Sequence, residues 1–250
     1  MVFDEMKGRV GLVTGAARGI GRAVADALAS VGARVLVADV DREGAVAAAD
    51  AIRAGGGAAE AFHLDVGDPA AIRDFAGEVE SSYGAVDILV NHAGVVSRAG
   101  ALELSVENWD RTLDVNLRGA FLLTRELFPG MMERGRGAVV NVSSMAALSG
   151  GLAVGPDYVA SKAGLLGLTR HFARLGAARG VRANAVCPGI IETGATAAAG
   201  EEKVRELVAG IPMGRLGSPG EVASVVLFLA SDMASYVSGV AIVVSGGIIV

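Results

Sequence analysis

Seven short apolar runs, separated by longer amphipathic stretches, decide what this chain can fold into. They are RVGLVT (9–14), ARVLVAD (33–39), AEAFHLD (59–65), VDILVNHAG (86–94), GAVVNVSS (137–144), VRANAVCPG (181–189) and VAIVVSGG (240–247). Most read as near-continuous apolar runs, the pattern of a strand buried on both faces. The stretches between them carry helical periodicity. In DPAAIRDFAGEVESSYG, Ile72, Phe75, Ala76 and Val79 recur at helical spacing, with Asp68 placed as N-cap and Pro69 in the first turn. Strand and helix in alternation predict an α/β fold, a parallel sheet covered by helices on both faces. No linker, repeat or low-complexity segment divides the 250 residues, so one domain over 1–250 is expected.

Composition narrows the function classes. Apolar residues make up 52% and charged residues 20%, which excludes disorder. The net charge of −5 and the lack of a basic patch argue against nucleic acid and anionic membrane as partners. Cys187 is the only cysteine, so an intrachain disulfide is impossible, which fits a reducing cytoplasmic setting. The opening MVFDEMKGRV carries acids where a secretory signal would be basic, so export is not expected. The C-terminal VSGVAIVVSGGIIV is too short for a membrane span and is broken by Ser and Gly.

Ligands of such sheets bind beyond the carboxyl ends of the strands. The first run leads into TGAARGIGRA, with Gly15, Gly19 and Gly21 spaced G-x-x-x-G-x-G. Glycines there let the turn close and the backbone approach a pyrophosphate, which the start of the next helix can bind. An ordinary strand-to-helix turn needs glycine too, so the turn alone is weak evidence. Asp39 ends the second run, 24 residues beyond Gly15. A carboxylate there can accept both hydroxyls of an adenosine ribose and would repel a 2′-phosphate. That favours NAD, with NADP left open by Arg18 and Arg42 nearby in sequence. Asp65, Val66, Asn91, Ala93 and Gly94 follow the third and fourth runs and would flank the adenine and ribose edge. Asp65 and Asn91 are equally good turn residues.

One further stretch, PDYVASKAG (156–164), sets Tyr158 and Lys162 four residues apart, one turn apart on a helix face. Taken alone, these two read as readily as a core tyrosine and a solvated lysine. Together with TGAARGIG (14–21), NHAG (91–94), DVNLRG (114–119), NVSS (141–144), YVASK (158–162), PGIIET (188–193) and GRLGSPGEVASVVLFLASDMASYVSG (214–239), they give a pattern that resembles the short-chain dehydrogenase/reductase family. The resemblance covers essentially the whole chain. It implies a Rossmann-type, doubly wound, seven-stranded parallel sheet and a nicotinamide cofactor. It also implies hydride transfer at a carbonyl carbon and a homotetramer built on helices spanning about 105–133 and 157–179.

The resemblance also implies roles. Tyr158 is the general acid/base. Lys162 lowers the tyrosine's pKa and binds the nicotinamide ribose. Ser144 holds the substrate oxygen, with Ser143 structural. Asn116 bends its helix and binds a water in a proton relay. Gly15, Arg18, Gly19, Ile20 and Gly21 border the cofactor in the first turn, and Pro188, Gly189, Ile191 and Thr193 border it at the nicotinamide end. The physical requirement agrees: a free tyrosine, with pKa near ~10, is a poor base at neutral pH, and an ammonium within about 4–6 Å lowers that value. His63, His92 and His171 show neither metal-ligand nor triad spacing and are expected to be structural, and no metal is expected.

The chain departs from the family pattern at four points. His92 stands where a second Asn is usual, MAAL after Ser144 lacks a common glycine, the Ser144–Tyr158 interval is one residue longer than commonest, and Ser245 replaces a common Asp. The substrate is expected against 95–101, 145–157 and the segment after Thr193, which are small and apolar, with Arg98 the only base in the first two. These predict an apolar secondary alcohol or ketone, with 194–200 as a possible lid. The runner-up is an NADPH-dependent reductase of 3-oxoacyl thioesters. From a different class, a non-catalytic dinucleotide sensor or scaffold would need none of the four catalytic candidates.

Overall fold

The computed structural model describes residues 3–151, 153–197 and 200–248. Leu152, within the substrate loop 145–157, and Ala198 and Ala199, within 194–200, therefore lie outside the described residues. The first half alternates β1 (Val10–Thr14), α1 (Gly19–Ser30), β2 (Arg34–Asp39), α2 (Arg42–Ala54), β3 (Ala58–His63), α3 (Pro69–Tyr83) and β4 (Ile88–Asn91). Then come α4 (Val106–Leu113), a π-helical turn (Asp114–Arg118), α5 (Gly119–Arg134), β5 (Gly137–Val142), the short α6 (Ala146–Ser149) and α7 (Pro156–Gly176). The chain continues through β6 (Val181–Pro188), α8 (Gly194–Ala197), α9 (Glu201–Ala209), α10 (Pro219–Ala230) and β7 (Ala241–Val244).

The seven strands form one parallel sheet in the order β3-β2-β1-β4-β5-β6-β7. The order reverses between β1 and β4, and a crevice opens at such a reversal. Successive side chains on each strand enter opposite cores, as strand geometry requires. Val13, Val35, Val37 and Val90 pack with α1, α2 and α10, including Leu28, Ile52 and Val226. Leu12, Leu36, Leu89 and Val139 pack with α3, α5 and α7, including Ile72, Leu123 and Phe172. Both faces are covered, which is why the strands read as apolar runs.

The helix starts follow local chemistry. Asp68 accepts from the Ala70 N–H at 2.8 Å, with Pro69 in the first turn of α3. Ser218 and Glu221 form a reciprocal capping box at α10. Two expectations are refined. The run at 86–94 is strand only over Ile88–Asn91, because the His92 and Ala93 N–H groups turn to Thr14 Oγ1. The long helix expected over 105–133 is broken by the π turn that contains Asn116.

Candidate active site

The turn after β1 is built for close approach. Thr14 Oγ1 accepts from the N–H groups of His92 and Ala93, both at 3.1 Å, and ties the β1 and β4 ends together. Gly15 has φ of +66°, and a Cβ on it would lie 2.9 Å from the Ala93 Cα. A Cβ on Gly21 would overlap the Gly15 carbonyl oxygen. No side chain caps α1, so its first-turn N–H groups are open to an anion. This glycine cradle and open helix start fit a dinucleotide. Gly19, with φ of +59°, faces Thr193, whose Cγ2 would be 3.6 Å from a Cβ there, so the first turn and the 188–193 loop meet across the crevice.

Asp39 closes β2 with its carboxylate fixed from both sides. Oδ2 accepts from the Ala17 N–H and Oδ1 from the Asp41 N–H, each at 2.9 Å. Arg18 is exposed and its guanidinium lies 4.0 Å from Asp41. Asp65 is an exposed turn residue that accepts from the Gly67 N–H at 2.8 Å, and Val66 is buried beside it.

Asn91 is placed differently from its neighbours. Its Nδ2 donates to Thr124 Oγ1 at 3.0 Å and to Asn141 Oδ1 at 2.9 Å, and Asn141 in turn donates to Thr169 Oγ1 at 2.9 Å. The amide nitrogen is thus spent on a buried polar chain, while Oδ1 has no hydrogen-bond partner among the described residues. Ala93 and Gly94 carry the backbone over it. A Cβ on Gly94 would lie 3.0 Å from Asn116 Oδ1 and 3.5 Å from Lys162 Nζ, so only glycine leaves that space open.

Beyond β5, α7 carries Tyr158 and Lys162 into a cleft of about 440 Å³ that Ser144 also lines. Gly155 is the N-cap of α7, Pro156 is in its first turn, and Asp157 beside it accepts from Thr112 Oγ1 at 2.6 Å, which fastens the helix start to α4. Lys162 is 4% exposed and its Nζ donates to the Val142 carbonyl at 2.9 Å. Ser143 donates to the Lys162 carbonyl at 2.7 Å, a structural tie between β5 and α7. Ser144 Oγ accepts from the Ala146 N–H at 3.1 Å and stands near enough to the Tyr158 hydroxyl to act on its pKa. Pro188, Gly189, Ile191 and Thr193 line the same cleft, as does Ile20.

Asn116 is 1% exposed, and its amide is fully engaged. Oδ1 accepts from the Val95 N–H at 2.8 Å, and Nδ2 donates to the Val95 carbonyl at 2.9 Å and to Ser161 Oγ at 3.1 Å. Ser161 passes the contact on, donating to the Tyr158 carbonyl at 2.8 Å. The π turn widens the helix at this point and turns Asn116 inward.

Burial governs the electrostatics of the pair: it raises the Tyr158 phenol above its ordinary value, and the nearby Ser144 hydroxyl pulls it back. Lys162 Nζ sits 5.8 Å from the Tyr158 ring centre. Burial dominates there too, pushing the ammonium down to about 8. The sequence also missed His92 as a cleft residue. Its ring packs against Gly15 and Gly21, its Nδ1 has no partner, and burial with the nearby Lys162 charge holds its pKa near 4. The signal was present: His92 lies inside NHAG, and its ring needs the space those glycines leave.

Comparison with known proteins agrees with this geometry. The family model described as enoyl-(acyl carrier protein) reductase matches residues 15–249. The 3-oxoacyl-(acyl-carrier-protein) reductase of Thermotoga maritima is 39% identical over 98% of this chain and 100% of its own. The D-threitol dehydrogenase of Mycolicibacterium smegmatis is 42% identical over 98% of this chain and 95% of its own. A candidate NAD(P)-dependent gluconate 5-dehydrogenase from Beutenbergia cavernae, solved with NADP at low occupancy, superposes with a TM-score of 0.92 at 42% identity, covering 99% of this chain and 98% of that one. The glycine-cradled turn, the serine, tyrosine and lysine around one cleft, and these full-length relatives identify the chain as an NAD(P)-dependent oxidoreductase belonging to the short-chain dehydrogenase/reductase family.

Proposed function

We propose that the whole chain acts as one domain that interconverts an apolar secondary alcohol and its ketone, using NAD in preference to NADP. The observation that carries this reading is the one cleft lined by Tyr158, Ser144 and Lys162, which Ile20 of the glycine-cradled turn also lines. Gly15, Gly19, Ile20 and Gly21 would hold the pyrophosphate side, Asp39 the adenosine ribose, and Pro188, Gly189, Ile191 and Thr193 the nicotinamide side. Bound there, the cofactor gives or takes the hydride.

The chain's own residues handle the proton. In oxidation, Tyr158 as phenolate takes the hydroxyl proton of the alcohol while Ser144 holds the oxygen in place. In reduction, Tyr158 protonates the oxygen that becomes the alcohol. Lys162 stands beside the Tyr158 ring, where its ammonium, when protonated, favours the phenolate, and with Asn116 it borders the space at Gly94. Because burial raises the Tyr158 pKa, oxidation should climb with pH and reduction fall.

Asp39 supports the NAD preference. Its carboxylate is fixed by two backbone donors and cannot swing away from a 2′-phosphate. Titration of both cofactors tests this directly, and tighter NADP(H) binding would overturn it. Tyr158→Phe should lower turnover by about 10²–10⁴-fold with cofactor binding kept; unchanged turnover would instead favour a dinucleotide sensor. A second reading, reduction of 3-oxoacyl thioesters with NADPH, is favoured by the name of the Thermotoga maritima relative and opposed by Asp39. Assembly as a homotetramer is supported by Val106, Trp109, Phe121 and Leu175, exposed apolar side chains on α4, α5 and α7. Light scattering measures it.

A further inference from the structure

We propose that the substrate carries one carboxylate at the end remote from its reacting carbon, and that Arg98 reads it. This rests on the alcohol/ketone reading above and deepens it. The charged side chains lining the cleft are all cationic: Arg98, Lys162 and Lys203. No Asp or Glu among the described residues lines it, although acids outnumber bases 27 to 22 in the chain. Lys162 is buried at the floor and bonded to Val142, so the other two bases define the mouth.

Arg98 does not sit on a loose loop. The Asn116 amide holds both the N–H and the carbonyl of Val95, and the Ser97 carbonyl accepts from the Gly155 N–H at 2.8 Å. Gly155 is the cap of the helix that carries Tyr158, so the 95–98 segment is fixed relative to the reacting phenol. Val96 and Arg98, two residues apart on this segment, both line the cleft. A second stretch of the lining repeats the arrangement. Lys203 and Leu207, one turn apart on α9, face the cleft together. Each stretch pairs one apolar residue with one base, and the apolar Met145 and Ile190 line the cleft with them.

The two bases differ in what they have left to give. Lys203 bonds Glu206 at 2.7 Å, whereas Arg98 has no carboxylate partner among the described residues. A planar guanidinium matches a carboxylate with two parallel hydrogen bonds. An apolar body along the cleft with a carboxylate at its mouth meets the apolar lining and gives Arg98 a partner. A neutral ketone would leave Arg98 unused.

The test separates binding from turnover. On the NAD-loaded protein, calorimetry should find hexanoate bound more tightly than hexanamide, and Arg98→Ala should reduce that ratio by about fivefold. Arg98→Lys should recover part of it. In turnover, the kcat/KM ratio of 5-oxohexanoate to its methyl ester should fall by a similar factor in Arg98→Ala, with the loss carried by KM. Equal binding of hexanoate and hexanamide by the unaltered protein, or a ratio unmoved in Arg98→Ala, overturns the proposal. Selective hexanoate binding with neither oxo compound reduced would leave the anion site standing and overturn the alcohol/ketone reading instead.

Discussion

The floor of the cleft and its cover are built on opposite principles. On the floor, Asn116, Ser143 and Lys162 are each 4% exposed or less, and each side chain is hydrogen-bonded to a distant part of the chain. On the cover, α9 buries none of its residues, and its ion pairs, Lys203 with Glu206 and Arg205 with Glu201, lie within the helix. The floor fixes the reacting groups through bonds that are expensive to leave unmade. The cover can change its shape and charge at little cost to stability. One fold can therefore keep its chemistry and vary its substrate, as the different substrates named for its relatives also suggest.

The sharpest way to break this contrast is Asn116→Ala. It removes three hydrogen bonds and strands the N–H and carbonyl of Val95, which the Asn116 amide alone satisfies on the side chain's side. The expected loss is about 2–4 kcal/mol of unfolding free energy, read by urea denaturation. Turnover should fall as well, because Ser161 loses its donor beside Tyr158. A loss below about 0.5 kcal/mol, the scale of an ordinary surface change, would mean that the floor is no more rigid than the cover.

How much of this was legible beforehand follows the same division. The strands could be read because burial on both faces forces apolar runs, and only Gly can occupy the first turn where Gly15 and Gly21 meet Ala93 and each other. Tyr158 and Lys162 could be read because a helix converts a spacing of four into a shared face. The inward turn of Asn91 could not. It depends on Thr124 and Asn141, 33 and 50 residues away, which sequence order does not bring together. The rise in the Tyr158 pKa was hidden for a similar reason. Local sequence shows the lysine charge, whereas burial is a property of the assembled fold.

His92 offers a smaller, pH-dependent test of the floor. Its pKa is held near 4 against an ordinary 6.5, so between those values the unfolded chain binds a proton that the folded chain does not. Stability contributed by neutral His92 is complete above about pH 6.5 and is lost as pH falls toward 4. Between pH 7 and pH 5 the loss is about 2 kcal/mol. In His92→Asn, which cannot take the proton, the pH dependence of urea unfolding should be flatter by that amount. Identical slopes in the two proteins would mean that the ring reaches solvent in the folded state.

Leu207→Ala should have the smallest effect on stability and still be felt by the substrate. Leu207 lines the cleft from α9, yet it belongs to none of the buried clusters that hold the sheet and helices together. Its truncation should change the unfolding free energy by less than about 0.5 kcal/mol, as a surface change does. The same truncation removes one apolar wall of the cleft, worth up to about 1–3 kcal/mol of discrimination between substrates. KM for an apolar ketone should therefore rise while thermal unfolding barely moves. If instead the melting temperature dropped by several degrees with KM unchanged, α9 would be part of the scaffold, and the division between a fixed floor and a variable cover would fail at the residue where it predicts the cleanest separation.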